Sequence, residues 1–337
     1  MDRPEASRGV TTTSELNMVE AISRGLGQLL QEDERALLLG EDIGANGGVF
    51  RATAGLQQRF GEERVVDTPL SEAGFVGAAI GMCLVGLRPV LEIQFDAFVY
   101  PAFQQLVSQA ARFRWRTRGA YGLPMVVRLP YGGGTRAPEL HSDSPETLFS
   151  HMPGLRVVVP SDPLSAGELL LGAALCEDPV VFLEPKRMYR RGRQSVPARF
   201  DPGSLDQAVT ARPGSDLTVL AYGAMLEVAL GAADQLEREG CSAGVLDLRS
   251  IYPLDRERIC AAAEETGRVL VVHEAARHCG VGAEVAALLQ EEVADRLLAP
   301  TLRVTGMEMP FPLAQNEDDA LPSIGRVVAA AHAMLAY

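Results

Sequence analysis

Residues 67–86 read Asp67-Thr-Pro-Leu-Ser-Glu-Ala-Gly-Phe-Val-Gly-Ala-Ala-Ile-Gly-Met-Cys-Leu-Val-Gly86. One carboxylate, Glu72, stands at the start of an otherwise uncharged helical stretch in which glycine recurs at positions 74, 77 and 81. These glycines leave a flat helix face against which another backbone can pack. Burial in such an interface would favour a protonated Glu72, which could then donate a hydrogen bond. A simpler alternative is that Glu72 only complements the dipole at a helix N-terminus.

Helix and strand patterns alternate on both sides of this segment. The predicted helices are Asn17–Gln31, Ser71–Leu84, Ala102–Phe113 and Ser165–Cys176. The predicted strands are Ala36–Leu39, Arg64–Val66, Pro89–Ile93, Met125–Leu129, Val157–Val159 and Val180–Leu183. Such alternation is typical of a parallel sheet that is covered by helices on both faces, so we expect an α/β domain here.

A second, smaller α/β unit follows a segment rich in proline, glycine and charge. Its predicted strands are Leu217–Ala221, Ser242–Asp247, Val269–Val272 and Thr301–Val304, and its predicted helices are Met225–Arg238 and Gly282–Glu292. A chain of 337 residues suits two domains. We therefore expect a flexible N-terminus (1–14), a first domain (15–195), a linker (196–213) and a C-terminal domain (214–337).

Composition limits the possible partners and compartments. The chain is 47% hydrophobic and 22% charged, as an ordinary globular protein is, and it has no apolar run long enough to cross a bilayer. Its net charge of −13 disfavours binding to nucleic acid or to an anionic membrane. The charged N-terminal residues indicate neither a secretory signal nor a transit peptide, and the five scattered cysteines are typical of reduced thiols. We therefore expect a cytoplasmic protein.

Further motifs surround the glycine-rich helix in a fixed order. They are Gly40-Glu-Asp42, Glu92-Ile-Gln-Phe-Asp-Ala-Phe98, Tyr131-Gly-Gly-Gly134, His141-Ser-Asp-Ser-Pro-Glu146 and Phe182-Leu-Glu-Pro-Lys-Arg-Met-Tyr-Arg190. In this order and spacing the set resembles the β subunit of the E1 component of 2-oxo acid dehydrogenase complexes, from about Thr12 to the C-terminus. The resemblance implies an α/β fold of two transketolase-like parallel-sheet domains, a pyrimidine-binding domain and a C-terminal domain.

The resemblance also implies an activity and a set of site residues. Such a chain binds the pyrimidine end of thiamine diphosphate and takes part in decarboxylation of a 2-oxo acid. Glu72 would hydrogen-bond to the aminopyrimidine ring, with Gln94 and Phe98 beside it. His141 would border the thiazolium and orient or protonate the substrate, or assist acyl transfer to a lipoyl group. Glu41 would lie near the cofactor. The simpler alternatives are that Phe98 only packs in the core and that His141 is only a solvated loop residue.

The diphosphate end of the cofactor has no matching motif. Binding the diphosphate and its Mg²⁺ requires a Gly-Asp-Gly segment and a downstream asparagine at family spacing, which this sequence lacks. The resemblance therefore implies an α subunit that holds Mg²⁺, an α₂β₂ heterotetramer with the cofactor between its chains, and a lipoyl-bearing E2 acyltransferase as a further partner. The glycine face of the helix over 71–84 would form part of the contact with the α subunit.

A monovalent cation is a further implication of the resemblance. Backbone carbonyls near Gly122, Pro124, Met125, Cys176 and Asp178 would hold K⁺. This chain is shorter around Cys176-Glu-Asp-Pro179 than the usual family pattern.

The sequence leaves two questions open: which substrate the protein uses, and whether the chain is catalytic or mainly structural. The stretches Arg118–Pro124 and His141–Ser144 slightly favour a branched-chain 2-oxo acid over pyruvate. Acetoin dehydrogenase has a similar β chain and is a further alternative. A mainly structural subunit that docks E2 through its acidic C-terminal domain is the alternative from a different class.

Overall fold

The computed structural model describes residues 13–337, apart from the side chain of Glu139. Most of the predicted flexible N-terminus, residues 1–12, lies outside the described residues. Residues 13 and 14 belong to a strand, β1 (Thr13–Leu16), which pairs antiparallel with β8 (Gln194–Pro197). This two-stranded ribbon joins the start of the first domain to its end.

A larger sheet forms the first domain. Its strands are β2 (Ala36–Gly40), β3 (Val65–Asp67), β4 (Arg88–Glu92), β5 (Val126–Tyr131), β6 (Arg156–Val158), β7 (Val180–Pro185) and β12 (Ser250–Tyr252). They lie in the order β12-β6-β7-β5-β4-β2-β3. Every neighbouring pair is parallel except β12 with β6, which is antiparallel. The near-continuous burial of the central strands fits a sheet covered on both faces.

A second sheet forms the core of the C-terminal domain. Its strands are β9 (Val209–Arg212), β10 (Leu217–Ala221), β11 (Ala243–Asp247), β13 (Val269–Ala276) and β14 (Leu302–Gly306), in the order β14-β13-β10-β11-β9. All neighbours are parallel except β9, which runs antiparallel to β11. The two α/β domains built on parallel sheets are therefore as predicted, and each sheet adds one antiparallel edge strand, β9 or β12.

Helices cover both sheets. The α-helices are α1 (Met18–Glu32), α2 (Leu56–Phe60), α3 (Glu72–Leu84), α4 (Tyr100–Gln104), α5 (Ala111–Arg116), α6 (Glu146–Ser150), α7 (Pro163–Leu175), α8 (Met225–Arg238), α9 (Arg256–Thr266), α10 (Val281–Glu292), α11 (Glu317–Ala320) and α12 (Ile324–Leu335). A π-helical segment, Gln105–Ala110, joins α4 to α5. Short 3₁₀ turns occur at Asp96–Val99, Glu139–His141, Lys186–Met188, Ala294–Arg296 and Ala314–Asn316. Within residues 13–337, no helix has the length and apolarity needed to span a membrane.

Two segments of the chain depart from the sequence-based division into domains. The predicted linker, 196–213, contains β9, which belongs to the second sheet. Strand β12 lies within the predicted C-terminal domain but extends the first sheet beside β6. The exact domain boundaries therefore stay a prediction, and the two sheets are tied together by backbone pairing.

Polar contacts also cross between the domains. The Tyr222 hydroxyl donates to Glu146 Oε1 at 2.7 Å, and the Ser161 hydroxyl donates to Asp247 Oδ1 at 2.8 Å. Burial raises the pKa of Glu146 to about 7, and it raises that of Asp247 to about 7 as well. The two domains therefore meet at an apolar contact that contains buried acids.

Candidate active site

The five predicted site residues lie at one end of the first sheet. Glu41 directly follows β2, and Gln94 lies two residues after β4, its parallel neighbour. Glu72 begins α3, the helix after β3, while Phe98 and His141 lie in the connections that follow β4 and β5. The carboxyl ends of parallel strands meet at this edge, which is where ligands bind in open α/β sheets. Topology therefore brings together residues that are up to 100 positions apart in sequence.

An acidic pair and an amide form the first part of this site. The Gln94 side-chain amide donates to the backbone carbonyl of Glu41 at 3.3 Å. Glu41 is 4% exposed, and its Oε1 has no hydrogen-bond partner among the described residues. Burial raises the pKa of Glu41 above its ordinary value, and the charges of Glu72 and Asp42 raise it further. Glu72 itself is half-buried in the free chain.

Three rings form the second part of the site. The His141 ring stacks on Phe95 with centroids 4.0 Å apart, and it meets Phe98 edge to face at 5.3 Å. The two phenylalanines contact each other at 5.8 Å. His141 Nδ1 is buried and has no hydrogen-bond partner among the described residues. The histidine is thus held by ring contacts, and one ring nitrogen is left without a partner inside the protein.

A buried ion pair fixes the backbone of the His141 loop. Lys186 Nζ lies 3.0 Å from Asp96 Oδ1, and both side chains are 1% exposed. Lys186 also donates to the His141 carbonyl, and Asp96 Oδ2 accepts the Asp143 amide at 2.8 Å. Burial lowers the pKa of Lys186, although Asp96 opposes this, and burial raises the pKa of Asp96. The pair connects the loop to the turn that carries Phe98.

Asp96 and Lys186 both lie in motifs of the sequence, but the motifs predicted no function for either residue. One signal was available, since Lys186 is the only lysine in the sequence and all the other basic residues except histidine are arginines. A lysine retained in such a chain indicates a position where a compact point charge is needed and a guanidinium does not fit.

The C-terminal domain holds the other side of the same loop. Glu274 accepts the amide of Gly133, and the Glu317 carboxylate accepts the amides of Gly134 and Arg136, the last at 2.8 Å. Gly132 has φ of 80°, a conformation in which a side chain would be strained, and a Cβ there would lie 2.9 Å from Glu274 Oε1. The glycines therefore let backbone amides approach two carboxylates of the neighbouring domain.

A second ionic cluster lies in the sheet behind the site. Arg128 donates to Glu92 at 2.7 Å and to Glu184 at 2.7 Å, and all three side chains are at most 5% exposed. The three residues lie on β4, β5 and β7, which are adjacent. Because every charge in this group has a partner, the cluster fixes the relative positions of the strands that end at the site.

The start of α3 is bare in the free chain. Leu70 and Val85, which flank the helix, are 84% and 77% exposed, and Leu84 is 42% exposed. Gly74 and Gly81 also face solvent, and a Cβ at Gly81 would meet no atom within 4 Å. Apolar and glycine residues at both ends of α3 are therefore uncovered in the free chain, and burial of this face by a partner stays a prediction.

The predicted cation ligands lie elsewhere. Gly122, Pro124 and Met125 precede β5 and Cys176 and Asp178 precede β7, so they lie at the amino end of the sheet. Among the described residues no group of three or more histidine, cysteine, aspartate or glutamate side chains could hold a metal ion. The expected K⁺ ligands are backbone carbonyls, and two of them, those of Met125 and Cys176, accept hydrogen bonds from Val180 and Arg88.

Comparison with protein families places both domains. The transketolase pyrimidine-binding domain matches residues 14–192, and the transketolase C-terminal domain matches residues 206–327.

Comparison with individual relatives agrees. The pyruvate dehydrogenase E1 component subunit beta of Bacillus subtilis is 46% identical over 324 residues, which is 96% of this chain and 100% of the relative. The 2-oxoisovalerate dehydrogenase subunit beta of Pseudomonas aeruginosa is 45% identical over 329 residues, 93% of each chain. A split-gene transketolase, solved as an inactive beta4 tetramer, has a TM-score of 0.74 at 24% identity, covers 96% of this chain and 99% of that chain, and shows the fold alone.

Proposed function

The chain belongs to the family of E1 β subunits of 2-oxo acid dehydrogenase complexes, and we propose that it contributes the pyrimidine-binding half of a thiamine diphosphate site shared with an α subunit. The observation that carries this proposal is the pair of unpartnered buried atoms, Glu41 Oε1 and His141 Nδ1, at the carboxyl edge of the first sheet. Buried polar atoms are nearly always hydrogen-bonded, so two of them at one edge indicate a ligand that completes the site.

The residues at this edge fit the pyrimidine end of the cofactor. Thiamine diphosphate, when bound, supplies the electron sink that allows a 2-oxo acid to lose carbon dioxide. Glu72 would hydrogen-bond to a ring nitrogen of the aminopyrimidine, and the buried Glu41 would lie near the same ring. Gln94 would orient the ring through its amide, and Phe98 offers an aromatic face for stacking.

His141 would handle the proton on the substrate side. Its ring is held in one orientation by Phe95 and Phe98, and its backbone is held by Lys186. A fixed imidazole with a free nitrogen can donate a proton to the oxo group of a substrate or accept one from it. The same position would serve acyl transfer to the lipoyl group of E2.

The proposal also covers partners and compartment. No Gly-Asp-Gly segment for Mg²⁺ and the diphosphate occurs in the sequence, which supports an α subunit as the holder of both. The bare surface of α3 beside Glu72 suits that subunit, and the net charge of −13 suits a basic region of E2. Five free cysteines, one of them exposed, support a reducing compartment, and we place the assembly in the cytoplasm.

Neither the sequence identity to the relatives nor the residues of the candidate site distinguish one 2-oxo acid substrate from another. Relatives named for pyruvate and for 2-oxoisovalerate are 46% and 45% identical to this chain. We retain a slight preference for a branched-chain 2-oxo acid on the sequence stretches named above, with pyruvate and acetoin as the other substrates to test.

The deciding experiment is co-expression with the candidate α chain, followed by assays of decarboxylation with thiamine diphosphate, Mg²⁺ and a panel of 2-oxo acids. We expect turnover only when both chains are present. Glu72→Gln should lower turnover by roughly 10²–10⁴-fold, the range for loss of a positioned acid, while the complex still assembles by size-exclusion chromatography.

Glu63→Gln is the matched control, because Glu63 is an exposed acid nine residues away. Wild-type turnover by Glu72→Gln would overturn the catalytic assignment. A complex that assembles but turns over neither a 2-oxo acid of the panel nor acetoin would favour the mainly structural E2-docking subunit.

A further inference from the structure

Two loops meet at the amino end of the first sheet, at the position where the family resemblance implies a K⁺ site. One loop runs from Gly122 to Met125 and leads into β5, and the other runs from Cys176 to Asp178 and leads into β7. A K⁺ site of this kind needs several carbonyl oxygens that replace the water around the ion. Such a site requires that these oxygens accept no hydrogen bonds from the protein.

Arg88 fills one side of this region. It begins β4, and its side chain is 10% exposed. Arg88 Nη1 donates to the carbonyl of Ala174 at 3.0 Å and lies 3.5 Å from that of Cys176. Its Nη2 pairs with the Glu177 carboxylate. One guanidinium therefore occupies carbonyls on the turn that precedes β7.

Arg114 fills the other side. It lies on α5, and its Nη2 donates to the Glu177 carbonyl at 3.1 Å. Its Nε pairs with the Asp178 carboxylate. Hydrogen bonding to Asp178 raises the pKa of Arg114 and so favours its charged form.

Little room or coordinating capacity is left between the loops. The Met125 carbonyl accepts the Val180 amide at 3.0 Å as part of the sheet. A Cβ at Gly122 would lie 2.2 Å from the Glu177 carbonyl and 2.7 Å from Arg114 Nη2, so the two loops and the guanidinium are already in contact. A cation placed here would meet two positive charges, and two of its five candidate ligands, the carbonyls of Met125 and Cys176, already accept hydrogen bonds.

The residues present therefore do not fit a monovalent cation. We propose that Arg88 and Arg114 take the place of K⁺ in this chain, and that the turn over residues 174–179 is ordered without any bound cation. Carbonyls at residues 174, 176 and 177 lie within hydrogen-bond reach of one or the other arginine. The two charges are then supplied by covalently attached side chains, which need no ion from solution.

The test is thermal unfolding of the purified full-length chain in KCl, NaCl and choline chloride at equal ionic strength. We expect the same midpoint in all three salts. A K⁺ site that is filled only in the folded state would raise the midpoint by several degrees as the KCl concentration increases at constant ionic strength, and that result would overturn the proposal.

A pair of variants tests the arginine itself. Arg114→Met should lower the midpoint by several degrees in every salt, because it frees the Glu177 carbonyl and removes the partner of Asp178. Arg256→Met is the control, since Arg256 forms an exposed ion pair with Glu292 and contacts no part of either loop. Equal midpoints for the two variants would also overturn the proposal. If Arg114→Met does not fold, the salt series on the unmodified chain still decides.

Discussion

The two ends of strand β4 differ in how their polar groups are satisfied. At the amino end, Arg88 donates to carbonyls of the turn before β7 and closes that end of the sheet. Beyond the carboxyl end, Gln94 and the neighbouring loops leave Glu41 Oε1 and His141 Nδ1 buried without a partner. Arg88 Nε also lacks a hydrogen-bond partner among the described residues, but it lies 3.7 Å from a carboxylate oxygen of Asp33. The difference supports the carboxyl end as the ligand-binding end, because unmet hydrogen-bonding capacity is costly unless something else completes it.

Charge is also arranged differently at the two ends. The amino end uses arginines whose partners are partly open to water, as with Asp178 at 32% exposure. The carboxyl end uses the fully buried pair of Asp96 and Lys186. Breaking a buried pair leaves an uncompensated charge in the interior, whereas a partly exposed partner can be hydrated. Substitutions at the carboxyl end should therefore be the more damaging.

The largest effect is expected from Lys186→Met. The variant keeps the length of the side chain but leaves Asp96 buried and unpaired and the His141 carbonyl without its donor. We expect a loss of about 3–5 kcal/mol in the free energy of unfolding, measured by urea denaturation.

Lys186→Arg and Asp96→Asn sharpen this test. An arginine keeps the charge but is too bulky for the 1%-exposed position, so Lys186→Arg should restore little of the lost stability. The double variant with Lys186→Met and Asp96→Asn should lose less stability than Lys186→Met alone, because no unpaired charge stays buried. A Lys186→Met variant as stable as the unmodified chain would contradict the contrast between the two ends.

A smaller effect, which depends on pH, is expected at Glu146, the buried acid beyond the His141 loop. Folding raises its pKa from an ordinary 4.5 to about 7, so the folded chain binds this proton more tightly than the unfolded chain does. Its stabilising contribution is therefore complete below the unfolded pKa and is lost as pH rises through about 7. The loss is at most roughly 3 kcal/mol.

Glu146→Gln keeps a neutral side chain that can accept the Tyr222 hydroxyl. Measured by urea unfolding, the variant should gain stability relative to the unmodified chain as pH rises across that window. Glu264→Gln, an exposed change, is the control. A difference between Glu146→Gln and the unmodified chain that stays constant with pH would mean that Glu146 does not titrate in this range.

The smallest effect is expected from Gly81→Ala on the bare face of α3. Glycine inside a helix costs about 0.5–1 kcal/mol relative to alanine, and a Cβ here meets no atom within 4 Å. The free chain should therefore become more stable by about that amount in thermal or urea unfolding.

Assembly should respond in the opposite direction. If a backbone of the α subunit packs on this face, Gly81→Ala should raise the dissociation constant of the pair. Gly325→Ala on α12, where a Cβ also meets nothing within 4 Å, should leave it unchanged. Equal affinity for both variants would place the α subunit elsewhere on the chain.

Most of the first domain could be predicted from local pattern. The apolar runs that became β2, β4, β5 and β7 and the helical spacing of α1 and α7 were identified, because burial on both faces leaves continuous apolar strands. Helices α2, α9, α11 and α12 and strands β1, β8, β9 and β12 were missed. Strands β9 and β12 are short and contain residues such as Arg212 and Ser250 that carry no strand pattern.

Sequence motifs gave the candidate site residues but not the residues that support them. Gln94, His141 and Glu72 follow motifs that can be recognised in sequence. The contact of Lys186 with Asp96 spans 90 positions, and that of Glu317 with Gly134 spans 183, so no local spacing indicates them. The expected cation ligands lie at one corner of the sheet, and the arginines that hydrogen-bond to this corner come from β4 and α5.

The amino-acid sequence by itself determined the order of strands and helices, the uncharged glycine-rich helix behind Glu72 and the family to which the chain belongs. These properties depend on side-chain periodicity and on motifs a few residues long. The tertiary structure alone decided which acids are desolvated, which polar atoms lack partners and which charges fill the corner between β5 and β7. Burial and long-range pairing set the free energy of each of these groups, and both exist only after distant segments have packed together.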